Sequence, residues 1–423
     1  MSDFWEVRIQ DIAEVLVSNV DKKSYAGQKA VVLCNYMDVY SNDYISSDLN
    51  FMESTASEAE IKKFSLRKGD VVITKDSESP FDIGIPSVVT EDIDDLVCGY
   101  HLAIIRPNLD KVDPLFLAKQ LSSEKSTRYF ARVAAGSTRF GLSIGSIHAL
   151  PIQITSLEVQ KKIGEIGLTI DNQIEATQAL IDKYTAIKQG MMADLFSRGI
   201  DPDTKALRPT FEEAPELYHE TPLGMLPKGW NVDTLSKLAE KITDGDHHTP
   251  ERSSEGRYLL SARNIHDGYL DFSKVDYVPE YEYQRMIKRC FPEAGDIFIS
   301  CSGSIGRVCE VPENFSCALV RSVALVKLDN NLVQSSYICW WLRTEKMQKA
   351  MINSALQAAQ PNLFQGAIEQ LDVVICAPEE QLLISERLNV IENMMLLNKS
   401  DLKKLKVQKA GLMQDLLTGK VPV

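Results

Sequence analysis

Residues 190–199 read GMMADLFSRG and residues 411–420 read GLMQDLLTGK, two nearly matching decapeptides that start 411 − 190 = 221 positions apart. Working outward from them, the second half of the chain lies on the first. FWEVRIQDIAE at 4–14 answers GWNVDTLSKLAE at 229–240, which sets Trp5 against Trp230. LRKGDVVIT at 66–74 answers FPEAGDIFIS at 291–300, in each case a Gly-Asp turn feeding an apolar strand. DIGIP at 82–86 lies against SIGRV at 304–308, and HLAIIRP at 101–107 against SVALVKL at 322–328. A long period present in only two copies is a duplicated domain, not a solenoid array.

Each copy ends in a long helical pattern, without proline from Leu157 to Ser197 or from Glu379 to Val421. Alternate steps of four and three give Ile163, Gly167, Ile170, Ile174, Thr177, Ile181, Tyr184, Lys188, Met191, Leu195, and then Ile384, Leu388, Ile391, Met395, Asn398, Leu402, Leu405, Lys409, Leu412, Leu416. A stripe with this 3.5-residue period is a coiled-coil seam, here on two helices of roughly 60 Å each at about 1.5 Å per residue. The alternative is an ordinary amphipathic helix on a globular core. Thr177 matches Asn398 in position, and Lys188 matches Lys409. A polar group in a seam lowers stability but fixes register; the other reading puts these four where the stripe meets solvent. The fold expected is α+β: two homologous α/β domains joined by two long antiparallel coiled-coil helices, related by a pseudo-two-fold. The expected divisions are a first domain at 1–155, a central helix at 156–199, a linker at 200–222, a second domain at 223–376 and a final helix at 377–423. Each domain is expected to hold short strands on a twisted sheet and a helix near 114–134 or 335–355. One of Trp340 and Trp341 is expected in the core.

Composition sets the outer limits. A chain of 423 residues with 44% hydrophobic content can build more than one core. No run approaches the roughly 18–20 apolar residues of a membrane span, and MSDFWEVRIQ lacks the regions of a signal peptide, so a cytoplasmic protein is expected. Cys34, Cys98, Cys290, Cys301, Cys309, Cys317, Cys339 and Cys376 form no CxxC pair and read as reduced, mostly buried thiols, with a zinc site as the alternative. The net charge of −13 weighs little against a nucleic-acid partner, because a small basic face can sit on an acidic remainder. FEEAPELYHE at 211–220 reads as solvated linker.

Catalytic signatures are missing. The sequence has no GxxxxGK[ST] phosphate loop and no Pro-Pro dipeptide, so the Asn/Asp-Pro-Pro-aromatic motif of amino-methyltransferases is absent. GDHHTP at 245–250 offers adjacent His247 and His248 with no second ligand cluster. Ser302, in SCSGSIG, lacks a GxSxG elbow and obvious His/Asp partners.

Polar loops remain. RVAAGSTRFGLS at 132–143 corresponds without gaps to NSALQAAQPNLFQ at 353–365, so Arg139 stands opposite Gln360 and Gly141 opposite Asn362. Arginine reads guanine edges, and Asn or Gln reads adenine edges, through paired hydrogen bonds. The candidates for DNA contact are therefore Ser137, Thr138 and Arg139 in the first copy and Gln357, Gln360 and Asn362 in the second. Lys75 and Arg307, on a second pair of matched loops, are candidates for phosphate contact, and Ser302, Arg263, Asn264, His247 and His248 complete the candidates for DNA contact. Any one of these could equally be an ordinary surface residue.

At this point the chain resembles the specificity subunit of Type I restriction-modification enzymes. The likeness rests on the two domains each followed by a long helix, on LMQDLLTGKVPV at 412–423, and on LPKGWNVDTLSKLAEKITDGDHHTP at 226–250. The stretches GSTRFGLSIGSIHALPIQITSLEVQKKI and AAQPNLFQGAIEQLDVVICAPEEQLLI also look like the family's domain-to-helix junction, although Arg139-Phe140 in the first becomes Gln360-Pro361 in the second. The resemblance implies a non-catalytic subunit that binds double-stranded DNA, each domain reading half of a bipartite target. It implies two methyltransferase subunits docked on the helices with S-adenosylmethionine, and motor-nuclease subunits using ATP and magnesium; no cofactor is expected on this chain itself. Two other readings stay open: a coiled-coil scaffold for protein partners, and a modification-only assembly.

Overall fold

The computed structural model describes residues 4–357 and 361–423. The chain forms two compact units, Met1–Ala179 with Asn398–Val423, and Leu180–Leu397. Both cuts fall inside long helices. The first, Leu157–Ser197, begins in the first unit and ends in the second; the other, Pro378–Leu417, does the reverse.

Within the first unit, strands run in the order Ala13–Val17, Leu102–Pro107, Val71–Thr74, Pro86–Val89, Tyr44–Ile45, antiparallel except for the last pair. The second unit repeats four of these: Ala239–Asp244, Val323–Leu328, Ile297–Ser300, Val308–Glu310. Each unit adds a three-stranded sheet whose central strand pairs parallel on one side, Lys29–Cys34 with Leu96–Cys98 and Arg257–Leu260 with Cys317–Leu319. The central strands are buried on both faces. Val71, Ile73, Ala103 and Ile105 enter one core while Val72, Leu102 and Ile104 enter another, and Ile297, Ile299, Ala324 and Val326 likewise alternate with Phe298, Val323 and Leu325. Side chains of successive strand residues point to opposite faces, so two cores require a run of apolar residues in place of alternation.

The expected helices near 114–134 and 335–355 are each broken once, into Pro114–Leu121 and Glu124–Val133, and into Ser335–Leu342 and Glu345–Ala355. The breaks sit at capping residues: the Ser123 and Thr344 hydroxyls accept from the amides of Ser126 and Met347, which satisfies donors a helix start leaves open. Trp340 and Trp341 are both core, their indole nitrogens donating to Asn389 and to the Asp372 carbonyl.

The repeated decapeptides belong to these cores. Leu195 and Phe196 are buried with Trp230, Tyr337 and Trp341 in the second unit; Met413, Leu416 and Leu417 are buried with Ile152, Ile154 and Phe116 in the first. Each buried side chain of this size contributes roughly 1.5–3 kcal/mol. In each unit one domain is thus completed by the tip of the helix that follows the other domain. That is why two similar decapeptides occur, one at each helix tip.

The seam is as spaced, with Leu412 displaced: Ile163, Ile170, Ile181, Ile384, Leu388, Ile391 and Met395 are buried, whereas Leu412 is exposed beside buried Met413. The helices run antiparallel inside each unit. Asp171 meets Lys409 in the first, and Lys188 meets Glu392 while the Ile200 amide reaches Glu380 in the second.

Two expectations are corrected. The ladder pairs Trp5 with Ile154 and Asn231 with Ile375, so the counterpart of Trp230 is Phe4. Trp5 is exposed, while Phe4 packs on the first core and against Gly419 as Trp230 packs against Gly199. A one-residue shift moves a strand side chain to the other face, and matching the two tryptophans by identity hid it. The stretch read as solvated linker is also folded. Tyr218–Thr221 pairs with Gly224–Pro227, Tyr218 is buried, and its hydroxyl donates to the Pro209 carbonyl. All eight cysteines are free and buried.

Candidate nucleic-acid interface

In the first unit the strand Val71–Thr74 ends at Lys75, whose carbonyl accepts from the Leu142 amide at 2.9 Å and whose amide donates to the His101 carbonyl at 2.8 Å. The loop after the helix Glu124–Val133 is closed by reciprocal Ala135 and Gly141 bonds of 3.1 and 2.9 Å, and Phe140–Gly141 pairs with Asp76–Ser77. Between these ties, Ser137, Thr138 and Arg139 are exposed. Gly136 makes the turn possible: its φ is +143°, and a Cβ there would overlap the Arg139 carbonyl oxygen.

Arg139 borders a depression of about 320 Å³ lined also by Tyr36, Tyr40, Asp76, Asp82 and His101. Asp76 pairs with Lys75 Nζ at 2.8 Å and with His101 Nδ1 at 2.7 Å. Burial alone would raise the Asp76 carboxyl, but Lys75 and His101 outweigh it and hold it below the usual carboxylate range. Lys75 is therefore neutralised by its neighbour. It serves the loop's charge balance.

The second unit builds the same frame. The Leu363 amide donates to the Cys301 carbonyl at 2.8 Å, as Leu142 does to Lys75, and the Asn362 amide reaches the Ala355 carbonyl at 3.3 Å. Cys301 thus holds the place of Lys75, but it is buried, and burial pushes its thiol up to about 12. Gln357 is exposed beside this loop. Gln360 lies outside the described residues. Ser302 is half-exposed, and Arg307 sits with Nη1 3.4 Å from His266 Nδ1. Ser322 joins the neighbouring turn to this frame, since its hydroxyl accepts from Ala262 and its carbonyl from Cys301.

On that turn, Arg263 is exposed and pairs with Asp276 at 2.7 Å. Asn264 differs from expectation. It is 1% exposed, accepts from Ser261, and donates to the Asp271 and Lys274 carbonyls, so it organises the loop and has no face toward a base. His247 is exposed, with Nε2 2.6 Å from Asp244, which also binds Arg289 at 2.7 Å. The His248 amide donates to Asp246. Among the described residues, no group of three or more His, Cys, Asp or Glu could hold a metal ion, and no helix is long and apolar enough to cross a membrane.

Of the four seam residues, Lys188 and Lys409 bind carboxylates of the facing helix, Glu392 at 3.4 Å and Asp171 at 2.6 Å. Thr177 donates to the Gln173 carbonyl of its own helix, and Asn398 is half-buried. Several supporting residues escaped the sequence reading. Gln160 and Gln381, both fully buried, accept from the amides of Asp113 and Gln334 and donate to the carbonyls of Thr155 and Cys376. Asp70–Arg106 and Asp296–Lys327 are matched ion pairs at 2.7 Å, each between a strand residue and the residue just before the neighbouring strand. Their recurrence at or near the repeat offset was the available signal.

Residues 1–185 and 227–407 match the family described as type I restriction modification DNA specificity domain. A chain of Methanocaldococcus jannaschii assigned as the MjaX specificity subunit of a type I restriction enzyme is 24% identical over 424 residues, covering 99% of this chain and 94% of that one. The type I restriction enzyme HindI specificity subunit of Haemophilus influenzae is 25% identical over 363 residues, covering 73% and 76%. In fold, the chain is similar to the S subunit of a type I restriction-modification system from M. genitalium, with a TM-score of 0.65 at 14% identity over 98% of this chain and 96% of that one. Two matched domains, each with its long helix, account for that likeness end to end, and the chain belongs to the family of type I restriction modification DNA specificity domains, as a specificity subunit built from two of them.

Proposed function

We propose that each unit reads one half of a bipartite DNA target, and that the paired helices carry methyltransferase subunits which modify both halves. One observation carries this reading: the same backbone frame recurs, Leu142 to Lys75 and Leu363 to Cys301, with different side chains on its exposed loops. Arg139 beside acidic and aromatic groups in the first unit, and Gln357, Arg307 and His266 in the second, offer different donor and acceptor sets. Different sets on equal frames select different base edges.

The chain's charge of −13 is compatible with DNA binding when partner subunits supply much of the phosphate contact, because backbone binding is additive in charge. In this reading the chain does no chemistry. S-adenosylmethionine enters with the methyltransferase, and ATP with magnesium enters with motor-nuclease subunits where these are present.

The test is to express the chain with its methyltransferase partner in a methylation-free host and sequence the methylome. A bipartite motif with methyl-adenine in both halves is expected. Replacing 136–139 by another loop should change one half-site and leave the other. No methylation from an assembled complex would instead favour a protein-binding scaffold.

A further inference from the structure

The long helices are held by more than apolar contact. Asp171 and Glu392 occupy matching positions 221 residues apart on the two helices, as do Lys188 and Lys409. In the first unit, Asp171 is 2.6 Å from Lys409 on the facing helix and 2.5 Å from Lys119 on the domain helix Pro114–Leu121; it also accepts from the Tyr44 hydroxyl at 2.7 Å. In the second, Glu392 is 3.4 Å from Lys188 on the facing helix and is bound by Arg343, which follows the domain helix Ser335–Leu342 and lies 3.9 Å over the Trp340 ring.

One carboxylate in each unit thus ties three segments together: its own helix, the facing helix and the recognition domain. The ties use different chemistry, Lys and Tyr in one unit and Arg stacked on Trp in the other, yet they join corresponding places. What the two units share is the geometry. An apolar seam of Ile and Leu repeats every few residues and tolerates a slip, whereas a slip past either carboxylate strands a charge that is buried at Asp171 and half-buried at Glu392. A slip of one turn is about 5.4 Å, between one and two base pairs at about 3.4 Å each.

We propose that Asp171 and Glu392 are positioning residues that hold each recognition domain at one register on the helix pair, and so set the number of base pairs between the half-sites. This rests on the bipartite reading above. Neither residue touches DNA. Their role is to determine where the reading loops are held.

The test compares methylomes of the chain co-expressed with its methyltransferase partner. The wild-type complex should methylate one bipartite motif with a single spacer. Asp171→Asn combined with Glu392→Gln should keep both half-sites but raise methylation at sites one or two base pairs longer or shorter by about tenfold. The conservative Lys188→Arg with Lys409→Arg should keep the single spacer. A gentler pair, Lys188→Met with Lys409→Met, leaves Asp171 on Lys119 and Glu392 on Arg343; it decides the matter if the neutral pair fails to assemble. A strict spacer in an assembled neutral or methionine variant, at whatever overall activity, overturns the inference while the bipartite reading stands. A wild-type complex without a bipartite motif overturns both.

Discussion

The indole Nε1 of Trp230 donates to Oε2 of Glu380 at 3.0 Å, deep in the second unit. The same carboxylate accepts from the Ile200 amide at 2.8 Å and from both terminal nitrogens of Arg208. It joins the end of one long helix, the segment after it, the start of the second domain and the first turn of the other long helix. Acidic groups are favoured in a first turn, and an anion is tolerated when buried only if it is paired and fully bonded.

Glu380→Gln should therefore be costly. It leaves the Arg208 guanidinium, 18% exposed, without its counter-charge, at about 3–5 kcal/mol for a broken buried pair. Trp230, Trp340 and Trp341 all lie in the second unit, so urea unfolding followed by tryptophan fluorescence reports the loss. An unchanged midpoint would mean that the clasp is not structural.

Gly136→Ala should act on recognition more than on stability. A Cβ at φ +143° meets the Arg139 carbonyl oxygen, and a strained backbone costs about 1–3 kcal/mol. That strain is relieved most easily by moving the exposed 136–139 tip. The expected outcome is loss of methylation at one half-site with little change in the unfolding midpoint. A large fall in midpoint with target choice intact would contradict it.

Acid should loosen the first unit partly through Asp171. Burial would raise its carboxyl, but Lys119, Lys409 and Tyr44 hold it below the ordinary value. A folded-state pKa below the unfolded one gives stability that is present above the unfolded value, and it is lost as pH falls through the folded one. Urea midpoints measured from pH 7 down to about 3 should fall less steeply for Asp171→Asn than for the wild-type chain. Equal slopes would show that Asp171 carries none of the acid sensitivity.

Thiol reagents should find little in the folded protein. Burial raises the thiols of Cys290, Cys301, Cys339 and Cys376 to about 12, and only a thiolate reacts readily. Titration with a disulfide reagent at pH 8 should label fewer than about one thiol per chain within minutes, and all eight after denaturation. Fast labelling of a native thiol would reveal local opening.

Much of this was legible in the chain. The recurrence of Gly-Asp turns, strands and helix ends, with an offset of 295 − 69 = 226 at the turns that settles to 411 − 190 = 221 at the helix ends, carries the duplication, and the spacing from Ile163 to Leu195 and from Ile384 to Leu416 carries the seam. Both follow from local rules, the period of a helix and the alternation of a strand. The frame of the matched polar loops was legible as a correspondence, and Arg139 is exposed where the matching placed it. Asn264 was misread because residue type alone cannot tell an amide that faces a ligand from one whose donors and acceptors close its own turn. Trp5 was misread for a related reason: identity aligned two tryptophans, while strand register aligned Phe4 with Trp230.

The sequence by itself determined that this protein is one domain-and-helix written twice, because hydrophobic period and turn chemistry are local and survive in any context. Only the tertiary structure decided which helix tip completes which domain, and that Asp171, Glu392 and Glu380 each gather partners tens to hundreds of residues away. Those assignments depend on which charges are buried together, and burial is a property of the folded chain.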